Sequence, residues 1–455
     1  MRDFLPAEKA RRERILQVIT ESYRAHGFDE IETPVMEDSD RLHAGLGGDN
    51  EKLAFGVLKR GLELDELRSA ESVLDVVDLG LRFDLTVPLA RFYATHRAEL
   101  PNVFRSIQVA PVWRAERPQK GRYRQFVQCD IDIIGEPGIQ AEAELLVASL
   151  ATVDALGLTD ASIRVNDRRL LIGMLAGFGF APDDHDGVLI TIDKLDKLGP
   201  DGVIAELEER GADADAVAAF RAFLLRPQTR EVLPFGERAI RKALPEGADD
   251  AVVADLVAIG EAVAAARGEE FAPLVFDPFL VRGMGYYTGP IFELAHPSVP
   301  YSLGGGGRYD GMIGRFLGSE VPATGFSLGF ERLVELVEPP APTRGAAVAL
   351  VHDADAPLAA LLSLQTALVA RGDRARLVRR AKNTKLQLEN LAEQGFTSFA
   401  FLGADAPAEL DALDLRPSTD GLIQPSWLRS AARERSARWL RSAARERDPS
   451  RNQRR

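Results

Sequence analysis

The order of apolar and polar positions predicts most of the elements in the first part of the chain. Residues 7–26 place apolar side chains at helical spacing between charges, which predicts an amphipathic helix that ends at Gly27. The next apolar stretch, 31–35, predicts a strand with a proline near its end. Apolar runs at 106–112 and 126–134 alternate with turn residues and indicate an antiparallel sheet, and residues 139–157 are predicted to form a helix.

A helical segment then separates two strand-rich regions. Residues 197–269 are rich in Ala, Glu, Asp and Leu, which favours helix throughout, and strands resume near Leu274 and continue through Phe292 and Phe326. We therefore predict an α+β domain over residues 1–338, built on an antiparallel sheet with flanking helices and carrying a helical insertion at about 197–269.

The remainder of the chain predicts a second, smaller domain and a tail. The proline-rich segment 339–343 indicates a linker. Strands at 346–351, 374–378 and 398–402 alternate with helices at 355–371 and 384–394, which is typical of a small α/β domain with a largely parallel sheet, assigned to 344–426. In the basic tail 427–455 the sequence WLRSAARER occurs twice. We expect this tail to be disordered, with an RNA-binding arm as the alternative.

Composition excludes several classes of protein and of site. A chain of 455 residues is too long for one compact core. It has no apolar run long enough for a membrane span and no secretory signal, so we expect a cytoplasmic protein without membrane contact. Cys129 is the only cysteine, so neither an internal disulfide nor a thiolate zinc site is possible, and the histidines show no tight pairing. No protein-bound metal centre is predicted.

Charge does not settle whether the chain binds nucleic acid. The formal net charge is -13, yet residues 428–455 carry ten arginines against three acidic residues. A protein that grips a structured RNA needs local basic patches, so the global charge neither supports nor excludes such a partner.

One loop concentrates cations in a way that suggests a phosphate ligand. Five basic residues lie within 114–124, between two apolar strands, with Pro118 and Gly121 marking a turn. Arg114 and Phe126 are therefore predicted on paired strands with the basic loop over one end. Arginine forks suit phosphate or carboxylate and an aromatic face suits a purine, so a nucleotide is the expected ligand. The chain has no P-loop motif, so phosphate binding by that route is excluded.

At this point the sequence resembles a known family. The segment 113–126 is similar to motif 2 of class II aminoacyl-tRNA synthetases in the form found in histidyl-tRNA synthetases, and 27–34 and 325–332 resemble motifs 1 and 3. The segments 280–289 and 304–311 resemble the two histidine-specific motifs, while 81–86 and 190–197 match the archaeal and eukaryotic branch of that family. The resemblance covers about residues 2–405 and extends to an anticodon-binding domain at the C-terminal end.

The resemblance implies an activity, partners and residue roles. It implies ATP-dependent activation of histidine and its transfer to tRNA(His), with Mg²⁺ on the ATP phosphates and a homodimer formed through motif 1. The implied catalytic residues are Arg114 and Arg282. The implied ATP-binding residues are Arg114, Glu116, Arg122, Phe126 and Arg332. The implied histidine-binding residues are Asp84, Thr86, Arg114, Gln128, Asp132, Arg282, Tyr286 and Tyr287.

Some features leave alternatives open. Gly285 stands where the family usually has Asp, and the family pattern fades after Leu402. Asp130 lies on the same strand face as Asp132 but is also compatible with a plain exposed strand position. Arg282 is compatible with a structural arginine paired with a carboxylate such as Asp310. The alternative functions are a synthetase-like regulatory subunit of ATP phosphoribosyltransferase and a histidine-activating paralogue with an acceptor other than tRNA.

Overall fold

The computed structural model describes residues 1–43, 54–117, 123–226, 234–282, 286–338 and 345–418. Their helices are α1 (Pro6–Ala25), α2 (Ser39–His43), α3 (Leu64–Ser69), α4 (Thr86–His96), α5 (Gln140–Ala155), α6 (Arg168–Phe178), α7 (His185–Ile192), α8 (Leu195–Glu209), α9 (Ala214–Leu224), α10 (Glu237–Ala243), α11 (Asp250–Arg267), α12 (Asp310–Leu317), α13 (Phe330–Leu336), α14 (Leu358–Ala370) and α15 (Thr384–Glu393). Their strands are β1 (Asp29–Glu30), β2 (Met36–Asp38), β3 (Phe55–Leu58), β4 (Val77–Leu81), β5 (Phe104–Trp113), β6 (Gln125–Ile134), β7 (Ser162–Asp167), β8 (Leu274–Phe276), β9 (Pro290–Ala295), β10 (Gly304–Arg308), β11 (Ala323–Gly329), β12 (Ala347–His352), β13 (Arg374–Arg379), β14 (Ser398–Leu402) and β15 (Arg416–Pro417).

An eight-stranded sheet forms the centre of the larger of two compact units, which comprises residues 1–2 and 15–339. The strand order is β1-β5-β6-β11-β10-β9-β7-β8, and the run from β5 to β7 is antiparallel as predicted. The two end pairs, β1 with β5 and β7 with β8, are parallel, so the sheet is mixed at its edges. A separate three-stranded sheet has the order β2-β4-β3.

The strand predicted at 31–35 is wrong. The structure has only the two-residue β1 before that stretch and β2 after it. Pro34 has no N–H to give to a strand ladder, and the carbonyl oxygens of Thr33 and Pro34 accept from the Arg82 guanidinium at 2.7 and 3.4 Å. Ile31 N–H still donates to Ile107 O of β5 at 3.0 Å, but the carbonyl oxygens of Thr33 and Pro34 bind an arginine side chain instead of a neighbouring strand.

The two faces of the large sheet bury different helices. On one face, Cys129, Ile131 and Ile133 of β6 pack in one cluster with apolar side chains of α1, α5, α10 and α11. The second cluster joins α4, α6 to α9 and α12, with Phe220 and Phe223 of α9 among its buried side chains. The helices predicted across 197–269 are therefore present, but they divide between the two clusters.

The second unit comprises residues 3–14 together with the chain from 340 onward, of which 345–418 are described. Its sheet has the order β13-β12-β14-β15, in which the first three strands are parallel and β15 is antiparallel. Apolar side chains of β12 and β14 lie in two clusters, one completed by α14 and the other by α15. This matches the predicted small α/β domain. The predicted linker 339–343 and tail 427–455 lie outside the described residues.

Candidate active site

A cavity of about 400 Å³ lies on the face of the large sheet where β6, β11 and β10 run side by side. The predicted site residues that line it are Asp84, Thr86, Arg114, Glu116, Phe126, Gln128, Asp132, Arg282, Tyr286, Tyr287 and Arg332. Arg122, together with Gly285, lies outside the described residues. The rest of the predicted set, drawn from distant parts of the chain, therefore meets in one place.

Three carboxylates form what we call the carboxylate wall: Asp84, Asp130 and Asp132. Asp130 and Asp132 alternate with Gln128 along β6, so all three side chains point to the same face of the sheet. Asp130 is buried and lines the cavity, which excludes the exposed strand position that the sequence left open for it. Opposite Asp132 on β11 is Gly325, where a Cβ atom would come within 1.9 Å of the Asp132 carboxylate. Only glycine leaves room for that carboxylate.

Burial raises the pKa of every member of the carboxylate wall. Desolvation raises the pKa of Asp84 to about 6, against the opposing effects of Arg114 and the Val87 N–H. It raises the pKa of Asp130 to about 7, although hydrogen bonds with Ser327 and Gln128 act in the other direction. The pKa of Asp132 rises well above its ordinary value, because of burial first and then the charge of Asp130. Three neighbouring and largely desolvated carboxyl groups are costly to ionise together, so the wall favours a cationic ligand.

Hydroxyl and amide groups hold the carboxylate wall in place. The Tyr309 hydroxyl donates to Asp132 Oδ1 at 2.6 Å, and Gln128 Nε2 donates to Asp130 Oδ2 at 3.1 Å. The hydroxyls of Tyr286 and Tyr287 lie 3.2 Å apart and face the same cavity. These neutral partners fix the carboxylates without neutralising them.

Three arginines form the arginine wall: Arg114, Arg282 and Arg332. Arg114 follows β5 directly, and its backbone N–H donates to Arg124 O at 2.9 Å, which continues the β5–β6 pairing. Its Nε donates to Phe83 O at 2.9 Å, and its guanidinium carbon lies 5.0 Å from the centre of the Phe126 ring. Arg114, directly after β5, and Phe126, in β6, lie on paired strands at one end of the hairpin, as predicted.

The contacts that the structure shows for Arg282 all involve its Nη1 atom. Nη1 lies 2.7 Å from Gly304 O, 3.1 Å from Ser302 Oγ and 3.2 Å from Glu293 Oε2. Asp310, considered above as a structural partner of Arg282, instead forms an ion pair with Arg308 at 3.2 Å. That pairing was wrong because Asp310 begins α12, beside the end of β10 from which Arg308 projects.

Arg332, on α13, is the third member of the arginine wall. It donates to Ser302 O, and its guanidinium carbon lies 5.3 Å from the centre of the Tyr301 ring. Glu331, beside it on α13, is buried, lines the cavity and accepts from the Val127 N–H at 3.3 Å. Glu116 lines the cavity as well, so carboxylate oxygens lie close to the arginines.

Several lining residues escaped the sequence reasoning. Ser302, Tyr309, Ser327 and Glu331 line the cavity but had no predicted role. Tyr309, Ser327 and Glu331 stand inside quoted motifs, and alternation along β11 could have flagged Ser327. Ser302 precedes β10 and carried no sequence signal.

The cavity places the carboxylate wall, which attracts cations, next to the arginine wall, which attracts anions. A ligand with an ammonium and a basic ring suits the carboxylate wall, and a polyphosphate suits the arginine wall, because guanidinium stays protonated at any pH the protein meets. The Phe126 face beside Arg114 suits a purine.

Comparisons with known proteins agree with this chemistry. A profile of the histidyl-tRNA synthetase family matches residues 1–333. The chain is 60% identical over 424 residues to the histidine–tRNA ligase of Leifsonia xyli subsp. xyli, covering 92% of this chain and 97% of that relative. It is 41% identical over 420 residues to a probable histidine–tRNA ligase of Tropheryma whipplei, covering 90% and 96%.

Solved structures agree on the fold. The crystal structure of histidyl-tRNA synthetase from Nostoc sp. superposes with a TM-score of 0.71 at 25% identity, covering 95% of this chain and 97% of that one. A Bacillus halodurans protein described as an ATP phosphoribosyltransferase regulatory subunit/histidyl-tRNA synthetase has a TM-score of 0.69 at 21% identity, covering 89% and 97%. The fold is that of a class II synthetase with an additional C-terminal domain, and the chain belongs to the histidyl-tRNA synthetase family.

Proposed function

We propose that this protein is a histidine–tRNA ligase whose cavity joins histidine to ATP as histidyl-adenylate before the histidyl group passes to tRNA(His). The observation that carries this proposal is the meeting of the carboxylate wall and the arginine wall in one cavity of about 400 Å³. Family membership and 60% identity to a histidine–tRNA ligase support the same activity.

The first half-reaction needs no protein nucleophile. A carboxylate oxygen of histidine forms a bond to the α-phosphorus of ATP, and the bond from that phosphorus to the pyrophosphate oxygen breaks. The protein must bring two anions together and offset the negative charge that grows on the α-phosphate. We assign Arg114 to the bridging position between carboxylate and α-phosphate, and Arg282 to the other side of the α-phosphate.

The carboxylate wall and its neighbours supply a histidine pocket. Asp132 and Tyr287 are assigned to the two ring nitrogens, and Tyr286 covers the same side of the cavity. Asp84, Thr86 and Gln128 are assigned to the α-ammonium group. The positive charge of a bound cation stabilises the ionised carboxylates. It therefore lowers their pKa, and the attraction strengthens binding.

ATP is assigned to the arginine wall. Phe126 stacks on adenine, Arg332 and Arg122 hold the outer phosphates, and Glu116 faces the nucleotide. Mg²⁺ enters with the phosphates, and the carboxylate oxygens of Glu116 and Glu331 are of the kind that Mg²⁺ prefers. The bound ion would offset phosphate charge.

Two further proposals concern assembly and location. We expect a cytoplasmic homodimer, because the segment 27–34 resembles the motif that forms the self-complementary interface in this class. Sedimentation at micromolar concentration tests the first point, and a monomer would contradict it. Among the described residues, no helix is long and apolar enough to cross a membrane.

The decisive test is histidine-dependent exchange of pyrophosphate into ATP with Mg²⁺ present. We expect exchange with histidine and none with other amino acids. An absence of exchange would favour the regulatory-subunit alternative. Exchange without charging of tRNA(His) would favour a paralogue with another acceptor.

A further inference from the structure

Glu293 lies behind the arginine wall and has no role in the assignments above. It stands in β9 directly opposite Gly305 of β10. Its neighbours Phe292 and Leu294 face the apolar cluster, so its own side chain points to the face of the sheet that bears the cavity. Glu293 does not line the cavity itself.

Each carboxylate oxygen of Glu293 contacts a different arginine. Oε2 lies 3.2 Å from Arg282 Nη1, and Oε1 lies 2.8 Å from Arg164 Nη1. Arg164 has other acidic partners, since its guanidinium also contacts Asp277 and Asp196. Glu293 is therefore not required to balance Arg164, and its second oxygen is directed at Arg282.

The absence of a side chain at Gly305 leaves space for Arg282 Nη1 against β10. A Cβ atom at Gly305 would come within 2.1 Å of Arg282 Nη1, so the guanidinium lies across β10 where a side chain would otherwise stand. Ser302 Oγ and Gly304 O meet Nη1 from the same strand end. All three polar contacts resolved for Arg282 thus converge on one nitrogen, and the guanidinium also lines the cavity.

We propose that Glu293 is a positioning residue for the activation reaction, which holds Arg282 by Nη1 so that its remaining N–H groups meet the α-phosphate. This rests on the proposed function of the cavity. Two hydrogen bonds and an ion pair at one nitrogen orient the guanidinium together and leave its other edge for the substrate. Burial raises the pKa of Asp193 while the charge of Arg282 opposes that rise, so Asp193 is a further acidic group within electrostatic reach of Arg282.

The test is a double-mutant cycle on pyrophosphate exchange. Glu293→Gln keeps an acceptor near Arg282 but removes the charge, so the kcat of exchange should fall about tenfold, less than the loss expected when a transition-state donor is removed. The KM for histidine should change less than about twofold, because Glu293 touches no substrate. In an Arg282→Ala background, Glu293→Gln should have almost no further effect, because it acts only through that arginine.

Asp277→Asn is the matched control. It weakens the other main partner of Arg164 while leaving the contacts of Arg282 intact, so it should lower the Tm but leave kcat within about twofold. If Glu293→Gln folds poorly, Glu293→Asp gives the same cycle with the charge kept and the reach shortened.

Two results would overturn the assignment in distinguishable ways. Equal factors for Glu293→Gln in the wild-type and Arg282→Ala backgrounds, or a kcat loss in Asp277→Asn as large as that in Glu293→Gln, would show a general structural role. A wild-type protein without exchange would instead remove the proposed function on which the assignment rests.

Discussion

The carboxylate wall and the arginine wall of the cavity are held by different kinds of contact. Asp130 and Asp132 are buried and Asp84 is half-buried, and all three receive hydrogen bonds from neutral donors. The arginines are more exposed and rest largely on backbone carbonyl oxygens and aromatic rings. Burial therefore perturbs the protonation of the carboxylates, whereas the arginines stay cationic and need only be oriented.

The difference between the walls bears on stability as well as on binding. A buried carboxylate without a cation destabilises the folded protein at neutral pH, and a ligand removes that cost. An arginine supported by carbonyl oxygens destabilises little and keeps its charge for a phosphate. Arg308 shows the contrasting structural case, because its guanidinium pairs with the fully buried Glu142 at 2.7 Å.

Replacing an arginine of the cavity should have the largest effect on chemistry. Arg282→Ala is expected to lower the kcat of pyrophosphate exchange about 10²–10³-fold, because the charge that it offsets develops mainly in the transition state. Binding of histidine and the Tm should change little. Steady-state exchange kinetics and thermal unfolding check both expectations.

Arg308→Ala separates the two kinds of arginine. It leaves Glu142 buried without its partner, which should cost about 3–5 kcal/mol of stability. A destabilised Arg282→Ala protein with near-normal exchange would show that Arg282 is structural too, and the contrast between the two arginines would be lost.

Replacing a carboxylate should act on histidine binding instead. Asp132→Asn is expected to raise the KM for histidine by about 10- to 150-fold, corresponding to about 1.5–3 kcal/mol for a charge-assisted hydrogen bond. The KM for ATP should change little. Tyr309→Phe removes the hydroxyl that orients Asp132 and should act in the same direction with a smaller factor. Equal effects of Asp132→Asn on both substrates would place Asp132 outside the imidazole pocket.

The carboxylate wall should lower the stability of the folded protein at neutral pH when no substrate is bound. Since the folded-state pKa of Asp130 is raised to about 7, its contribution to stability is fully present below the unfolded-state pKa and is lost as pH rises through 7. Asp130→Asn should therefore raise the Tm above pH 7. The corresponding gain in the free energy of unfolding is no more than about 4 kcal/mol, since one pKa unit corresponds to about 1.4 kcal/mol.

Thermal unfolding between pH 4 and pH 9 in the absence of histidine and ATP measures this gain. The gain should shrink toward pH 4, where the wild-type carboxyl group is protonated. A gain that does not vary with pH would mean that Asp130 is ionised at little cost.

Removing the C-terminal tail should have the smallest effect on either wall. Deleting residues 427–455 is expected to leave pyrophosphate exchange unchanged, because every assigned site residue precedes the tail. Charging of tRNA should weaken, and its dependence on salt should become shallower, only if the tail arginines contact phosphates. Exchange assays on the truncated protein test this, and a loss of exchange would make the tail part of the fold that supports the cavity.

Sequence reasoning reached most of the site but not its supporting contacts. Arg114 was found from the basic loop between two apolar strands, whereas the roles of Arg282 and Asp132 followed from the resemblance to histidyl-tRNA synthetases. Glu293 stands in an ordinary strand pattern, and its role became visible only when β9 and β10 were paired. The pairing of Asp310 with Arg282 was wrong because Asp310 contacts Arg308, which stands two residues away in the same motif.

Local pattern determined most of the helices and strands of this protein, and motif resemblance indicated most residues of the site. The helix α1, the β5–β6 hairpin and the α/β alternation of the second unit follow from periodicity and turn residues, which act between near neighbours in sequence. Tertiary structure alone decided which strands pair across long separations, that helices of the 197–269 segment divide between two clusters, and how far the carboxylate pKa values rise. Those depend on burial and on contacts between residues distant in sequence, so no local pattern encodes them.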